Sequence, residues 1–360
     1  MQKSIIIANT LYQLTVAIHI KYLFLKESET DLFVCSETPL LNEIVRGEYI
    51  KNIFKTVYFV PFSNLDDFEK RKGNYTHTDH LKRFLLPSHF LREMNCNIDV
   101  YDDIFFYAPN RMFKDIYKYC KSKNKDVKLH YYHHGAETYM GSVNIEGFSD
   151  PQPYRFLLKF LWNIDFKAID FDMYCYSPEY LPKNEDKKIV KIESLQPGSE
   201  VTNLINKAFQ YKQEEFISQK YIFFEQASEY IKDESKYKKC INSIAETVGS
   251  HNIILKKHPR LSFEYDNRIP VYKGKESWEL YLLNNDCSNK VLITVSSTAC
   301  SAAKTMFGMN CRIIYLYKLL GDIISQEVLS FCPFIESTVD NKNVFLPSSL
   351  EEMYRILREV

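Results

Sequence analysis

Two runs of alternating strand-like and helix-like segments predict an α/β protein of two Rossmann-like, doubly wound domains facing a cleft. A length of 360 residues is enough for two cores, and a hydrophobic share of 45% is that of a globular chain. Between the two runs lies a stretch that breaks the rhythm, and no internal repeat offers another organisation.

In the first run, Ser4–Ala8 reads as a strand and Leu11–Leu25 as a helix with apolar residues at helical spacing. Asp31–Cys35 is a strand, Leu40–Glu48 a helix and Thr56–Val60 a strand. Leu81–Asn95 reads as a helix, Ile104–Tyr107 as a strand and Arg111–Lys121 as a helix. Val127–Tyr132 is a further strand and ends in His133-His134-Gly135. From Ser149 to Pro197 scattered prolines, aromatics and a charged patch, Lys183–Lys188, suggest a connection with helices of its own. The second run begins with the strand Tyr221–Phe224 and a long helix, Ser228–Val248. The strands Ile253–Leu255 and Val271–Tyr272, the helix Trp278–Asn284 and the strand Val291–Val295 follow. The helix Ala299–Phe307, the strand Arg312–Tyr315 and the helix Ser349–Glu359 complete it. The expected organisation is a first domain over 1–150, a connecting helical segment over 151–215, a second domain over 216–330 and a C-terminal extension over 331–360.

Lys+Arg and Asp+Glu are equal at 46 each, so no global field favours nucleic acid, and any basic site must be local. The nine cysteines are scattered and never spaced as CxxC, which argues against a zinc site and a disulfide framework and for buried thiols in a reducing compartment. Asn9, Thr10, Gln13 and His19 interrupt the apolar N-terminus, which reads as a strand and helix rather than a leader. No apolar run reaches the roughly 20 residues of a membrane span. A cytoplasmic protein is expected. The segment Tyr154–Trp162 mixes apolar bulk with cations; it reads as a buried inter-domain helix or, alternatively, as a contact with the inner face of the membrane.

The chemistry concentrates at strand ends. Ile253-Ile254-Leu255 runs into Lys256-Lys257-His258-Pro259-Arg260, which puts three cations and a histidine where open α/β sheets bind ligands. One unit later, Val291–Val295 runs into Ser296-Ser297-Thr298, hydroxyls that open a helix and offer backbone N–H groups to an anion. An ordinary helix cap explains these hydroxyls alone; together with the cationic end they suggest a pocket for a phosphorylated donor. Neighbouring cations depress the His258 pKa and a bound phosphate raises it, which suits a group that protonates a leaving phosphate. His133 and His134 lack ligand-spaced partners for a metal and, as neighbours in extended chain, point to opposite faces. Gly135 then permits a tight turn facing the cleft. Glu225 and Glu229 follow the first strand of the second domain, as general-base candidates or as charges complementing a helix capped by Ser228. No GxGxxG, GxxxxGK[ST] or GxSxG occurs, which removes the main support for dinucleotide, P-loop and serine-hydrolase readings.

Taken together, the Thr-x-x-Gln element (Thr10, Gln13), the strand ending near Gly135, the His258-Pro259 segment and the later Ser-rich strand end resemble bacterial sialyltransferases of glycosyltransferase family 52. The resemblance spans residues 4 to 310 and rests mainly on the His-Pro and Ser-Ser-Thr pair. It implies a GT-B architecture, CMP-sialic acid as donor, inversion at the anomeric carbon and no metal or other cofactor. It also implies a galactose-terminated or sialylated glycan of lipooligosaccharide or capsule as acceptor. By position, His258 becomes the acid that assists departure of CMP. Ser297 and Thr298 hold the phosphate, with Ser296 beside them as a substrate-binding residue, Glu279 contacts the ribose, and Lys257, Pro259 and Arg260 line the nucleotide site. Related enzymes carry paired acidic residues before the glycine, where this chain has His133-His134. The base is therefore one of Glu225, Glu229 and Glu137, with Glu225 preferred. The alternatives are a GT-B transferase using another sugar nucleotide, or a non-catalytic glycan- or nucleotide-binding protein.

Overall fold

The computed structural model describes residues 1–36, 38–61, 86, 91–92, 94–140, 152–165, 169–182, 187–213, 215–258, 263–265, 268–274, 276–329, 332–340 and 342–360. Short runs of apolar, mostly β-branched and aromatic residues form two parallel sheets, with helices covering them. The first sheet contains β1 (Lys3–Ala8), β2 (Glu29–Ser36), β3 (Val57–Pro61), β4 (Asp103–Phe106), β5 (Lys128–Tyr132), β6 (Asp172–Cys175) and β7 (Ile189–Lys191). Its strand order is β3-β2-β1-β4-β5-β6-β7. The second contains β8 (Tyr221–Phe224), β9 (Ile253–Lys256), β10 (Val291–Thr294), β11 (Arg312–Tyr315) and β12 (Val344–Phe345), in the order β12-β11-β10-β8-β9.

Strand order reverses between β1 and β4 in the first sheet and between β8 and β10 in the second. Such switch points open a crevice beyond the carboxyl ends of the strands, because the flanking helices leave on opposite faces. In register, Ile6 pairs with Leu32 on one side and Phe105 on the other, while Ile293 pairs with Ile314 and Phe223. The helix after β1, α1 (Leu11–Phe24), is buried continuously from Gln13 to Ile20, so it is sandwiched rather than amphipathic. Truncating Ile18 at its centre to alanine is expected to cost about 2–5 kcal/mol, the range for a buried aliphatic.

The structure corrects the expected domain limits. The segment 151–215 is more than a helical connection, because β6 and β7 extend the first sheet to Lys191. Strands of four and three residues beside polar loops are too short to show periodicity, which is why they escape a sequence reading. The C-terminal stretch 331–360 is no appendage: β12 pairs with β11, and the helix Leu350–Glu359 packs on the helix Glu234–Val248. The long helix expected from Ser228 begins at Glu234, capped by Asp233, whose side chain accepts from the Lys236 N–H. Ser228–Tyr230 is a separate 3-10 turn. Val271 forms an isolated bridge with Leu255 rather than a strand. The helix expected over Leu81–Asn95 lies mostly outside the described residues. The helix Gln152–Trp162 is not buried between domains: Leu158 packs inward, while Phe156 and Phe160 are 71% and 77% exposed and stack on each other.

The domains touch away from the cleft as well as across it. Ser177 donates to the Thr305 carbonyl at 3.0 Å, and the Leu195 N–H to Met306 at 3.1 Å. Phe334, from the C-terminal stretch, stacks on Tyr139 of the first domain at 5.2 Å between centroids. All nine cysteines are free thiols, seven of them buried. Among the described residues no helix is long and apolar enough to cross a membrane.

Candidate active site

The two switch points face each other, and two cavities lie between them. The larger, of about 760 Å³, is walled by Thr10, Leu11 and Tyr12 from the first domain. Across from them stand Glu225, Lys256–His258 and the stretch from Tyr272 to Glu279. The smaller, of about 300 Å³, runs from His134–Glu137 after β5 to Gln226, Tyr230 and Ser296. His258, Ser297 and Thr298 line both, so the two cavities share one rim.

Parallel pairing of β9 with β8 carries the chain out at Lys256, the last residue of the strand. Lys256 is half-buried over the Tyr272 ring at 4.8 Å, and burial lowers its pKa against the opposing pull of Glu276 and Glu279. Lys257 lines the same cavity and pairs with the exposed Glu264 at 3.9 Å, a weak pair. His258 is held from behind: its N–H donates to Glu225 Oε2 at 2.8 Å. Pro259 and Arg260 lie outside the described residues.

Glu225 is 2% exposed and its carboxylate accepts three hydrogen bonds. Besides His258, the Phe263 N–H reaches Oε1 at 2.9 Å and the Tyr265 hydroxyl reaches it at 2.6 Å. Both oxygens thus tie the loop after β9 to the end of β8. Three short, charge-assisted bonds are the arrangement of an anchor. Glu229, in the 3-10 turn, is exposed and lines neither cavity.

After β10, Ser297 caps the helix Thr298–Thr305 by accepting from the Ala299 N–H at 3.3 Å, and its own N–H donates to Thr294 Oγ1 at 3.0 Å. This places the first amides of an eight-residue helix, with the exposed Thr298, on the shared rim. Ser296 is buried and donates to Gln226 Oε1 at 3.4 Å. Glu279 sits in the first turn of the helix Trp278–Asn284, which Ser277 caps, and burial raises its carboxyl pKa. Trp278 packs flat on Tyr281, and its indole Nε1 is buried without a partner. A Cβ at Gly274 would meet the Tyr272 hydroxyl, itself bonded to Glu276, so a larger residue there requires that pair to shift.

In the first domain, the Thr-x-x-Gln element proves to be a helix cap. Thr10 Oγ1 accepts from the Gln13 N–H at 3.1 Å, and Gln13 Oε1 accepts from the Asn9 N–H at 2.7 Å. Thr10 still lines the larger cavity, whereas Gln13 is buried and lines neither. Gly135 stands at φ +110°, ψ −157°, a conformation essentially reserved for glycine, and turns the chain into the cavity. The two histidines before it diverge, as neighbours in extended chain must. His133 is buried between Tyr12, Tyr139 and Tyr176, neither ring nitrogen has a partner among the described residues, and burial takes its pKa to about 3. His134 faces the cavity and pairs through Nε2 with Glu137 at 2.8 Å. That bond lowers the Glu137 pKa. Among the described residues no group of three or more His, Cys, Asp or Glu is placed to hold a metal ion.

Several cavity residues had no distinct signal in the sequence. Tyr272, Gly274 and Glu276 lie in a loop without periodicity, and only pairing beside β9 brings them to the cleft. Tyr12 and Gln226 stand beside residues that the strand-end pattern did select.

No family model matches the chain, and no curated protein matches it. Solved structures do. One is an alpha/beta-galactoside alpha-2,3-sialyltransferase from the luminous marine bacterium Photobacterium phosphoreum, with 13% identity over 96% of this chain and 98% of that one, and a TM-score of 0.54. Another is the glycotransferase of kitacinnamycin, at 10% identity over 99% and 90%, with a TM-score of 0.51. A third is a protein from Listeria monocytogenes assigned as a UDP-N-acetylglucosamine 2-epimerase, at 12% over 99% and 88%, with a TM-score of 0.50. The fold is GT-B. Identities this low carry the fold and nothing finer, since one GT-B frame hosts both transfer and epimerisation.

Proposed function

We propose that this GT-B protein transfers a sugar from a nucleotide donor to a glycan hydroxyl, with inversion and without a metal. The donor is CMP-sialic acid, and the acceptor is a galactose-terminated or sialylated glycan of a bacterial surface. The observation that carries this reading is the shared rim of His258, Ser297 and Thr298 between a nucleoside-sized and a sugar-sized cavity.

The larger cavity supplies aromatic walls from Tyr272 and Trp278 for a base, and Glu279 to accept from ribose hydroxyls. Lys256, Lys257 and the amides at Thr298 meet the phosphate charge. As the bond between the anomeric carbon and the phosphate oxygen breaks, its electron pair goes to the phosphate and His258 supplies a proton. The acceptor oxygen bonds the anomeric carbon from the smaller cavity and gives up its proton there. With Glu225 anchoring the loop and Glu229 outside both cavities, Glu137 is the carboxylate left to receive it. The exposed Phe156 and Phe160 support seating on the inner face of a membrane, where surface glycans are assembled on lipid.

Binding and hydrolysis measured across CMP- and UDP-sugars test the donor. Turnover of CMP-sialic acid is expected; if a UDP-sugar is bound and hydrolysed while CMP-sialic acid is neither, another sugar nucleotide takes its place. A non-catalytic binding protein would bind nucleotide and leave every donor intact.

A further inference from the structure

The base in the smaller cavity stands in a chain of groups that the donor site does not use. Tyr131, the fourth residue of β5, is buried, and its hydroxyl lies 2.9 Å from His134 Nδ1. The other ring nitrogen, Nε2, lies 2.8 Å from Glu137 Oε2. The His134 N–H donates to Thr138 Oγ1 at 3.1 Å, which fixes the backbone of the turn. A carboxylate only accepts, so Nε2 donates to Glu137, which in the singly protonated ring leaves Nδ1 to accept from the Tyr131 hydroxyl. Both nitrogens are thereby occupied. Among the described residues Glu137 is bonded through Oε2 alone, and it is 63% exposed toward the cavity.

We propose that Tyr131 and His134 are positioning residues that orient and hold ionised the Glu137 carboxylate, which is the catalytic base for the acceptor hydroxyl. This rests on the transferase reading above. In the step, the acceptor O–H bond breaks, its oxygen bonds the anomeric carbon, and its proton passes to Glu137. The phosphate leaves with the electron pair of the old bond and the proton from His258. Both groups return to their starting states by exchange with water. The bond from His134 favours the charged form and lowers the Glu137 pKa, so the carboxylate stays ionised to lower pH while its orientation, rather than added basicity, suits it to take the proton. Among the described residues the other titratable groups facing this chain include Tyr107, His133, Cys175, Tyr230 and His258.

The test combines acceptor transfer, CMP affinity and a direct titration of the Glu137 carboxyl by NMR. Glu137→Gln should lower kcat for transfer about 10²-fold or more while CMP affinity stays within about twofold. His134→Ala should lower kcat with little change in KM, and the acid limb of its pH profile should move upward as Glu137 returns to an ordinary carboxyl pKa. Tyr131→Phe should give a smaller effect in the same direction, and Glu137→Asp should recover part of the loss. Full transfer by Glu137→Gln overturns the base assignment. An unshifted Glu137 titration in His134→Ala overturns the positioning role, whatever the donor proves to be. A wild-type protein that binds CMP but transfers no sugar overturns the transferase reading, and the base assignment with it.

Discussion

Glu225 and Glu137 follow strands of the two sheets, and both stand beside His258, yet the fold treats them in opposite ways. Glu225 is buried at the end of β8, and three donors converge on its two oxygens. Glu137 is exposed after β5, bonded to His134 at the lining of the smaller cavity. A carboxylate whose oxygens already hold a loop in place has little left with which to take a proton. A carboxylate that, among the described residues, is bonded through one oxygen and opens on a cavity does. Position at a strand end selects both residues; only their surroundings separate anchor from base.

That contrast can be broken by mutation. Glu225→Ala strands three donors in a buried setting and should lower unfolding stability by about 3 kcal/mol or more, with a loss of CMP affinity as the loop of His258 loosens. Glu225→Gln keeps one acceptor oxygen and should lose less; equal stability of wild type and Glu225→Ala would remove the anchor. Acid pH acts on the histidine behind the cavity next. His133 and His19 are held neutral by burial, with pKa values lowered from 6.5 to about 3 and about 4. The unfolded chain binds protons first, so stability is present above pH 6.5 and is lost as the pH falls toward those values. Each ring should cost roughly 2 kcal/mol by pH 5. His133→Phe should flatten the thermal midpoint against pH, and an unchanged slope would contradict the buried neutral ring. Gly135→Ala meets no neighbour within 4 Å but must adopt a positive φ, which should cost about 1–3 kcal/mol and displace Glu137 from the cavity. Smallest of all, Glu137→Gln should change stability by no more than about 0.5 kcal/mol, since the residue is exposed.

The two parallel sheets, their order in the chain and the strand-end cations were legible because buried parallel strands are unbroken apolar runs, and Pro259 and Ser297 punctuate them. The short strands β6, β7 and β12 were not, since two to four residues carry no period and their burial comes from neighbours far along the chain. Along the cavities, His258, Lys257 and the hydroxyls from Ser296 to Thr298 were within reach because each follows a strand or opens a helix, whereas Glu279 was pointed to by the family resemblance alone. The division of labour between Glu225 and Glu137 was not, because it depends on Phe263, Tyr265 and His134 meeting those carboxylates in space. Thr10 and Gln13 teach the converse: a motif that reads as a signature of function is, in the folded chain, largely a helix cap.

The central claim is that His258 works on a sugar nucleotide held at the rim of both cavities. Release of CMP from CMP-sialic acid in the presence of lactose, compared between wild type and His258→Ala, tests it most directly. The account predicts turnover by the wild type and a fall of about 10²-fold or more in the variant, with CMP still bound. Equal rates in the two proteins, or a wild type that ignores CMP-sialic acid and turns over a UDP-sugar, would contradict it.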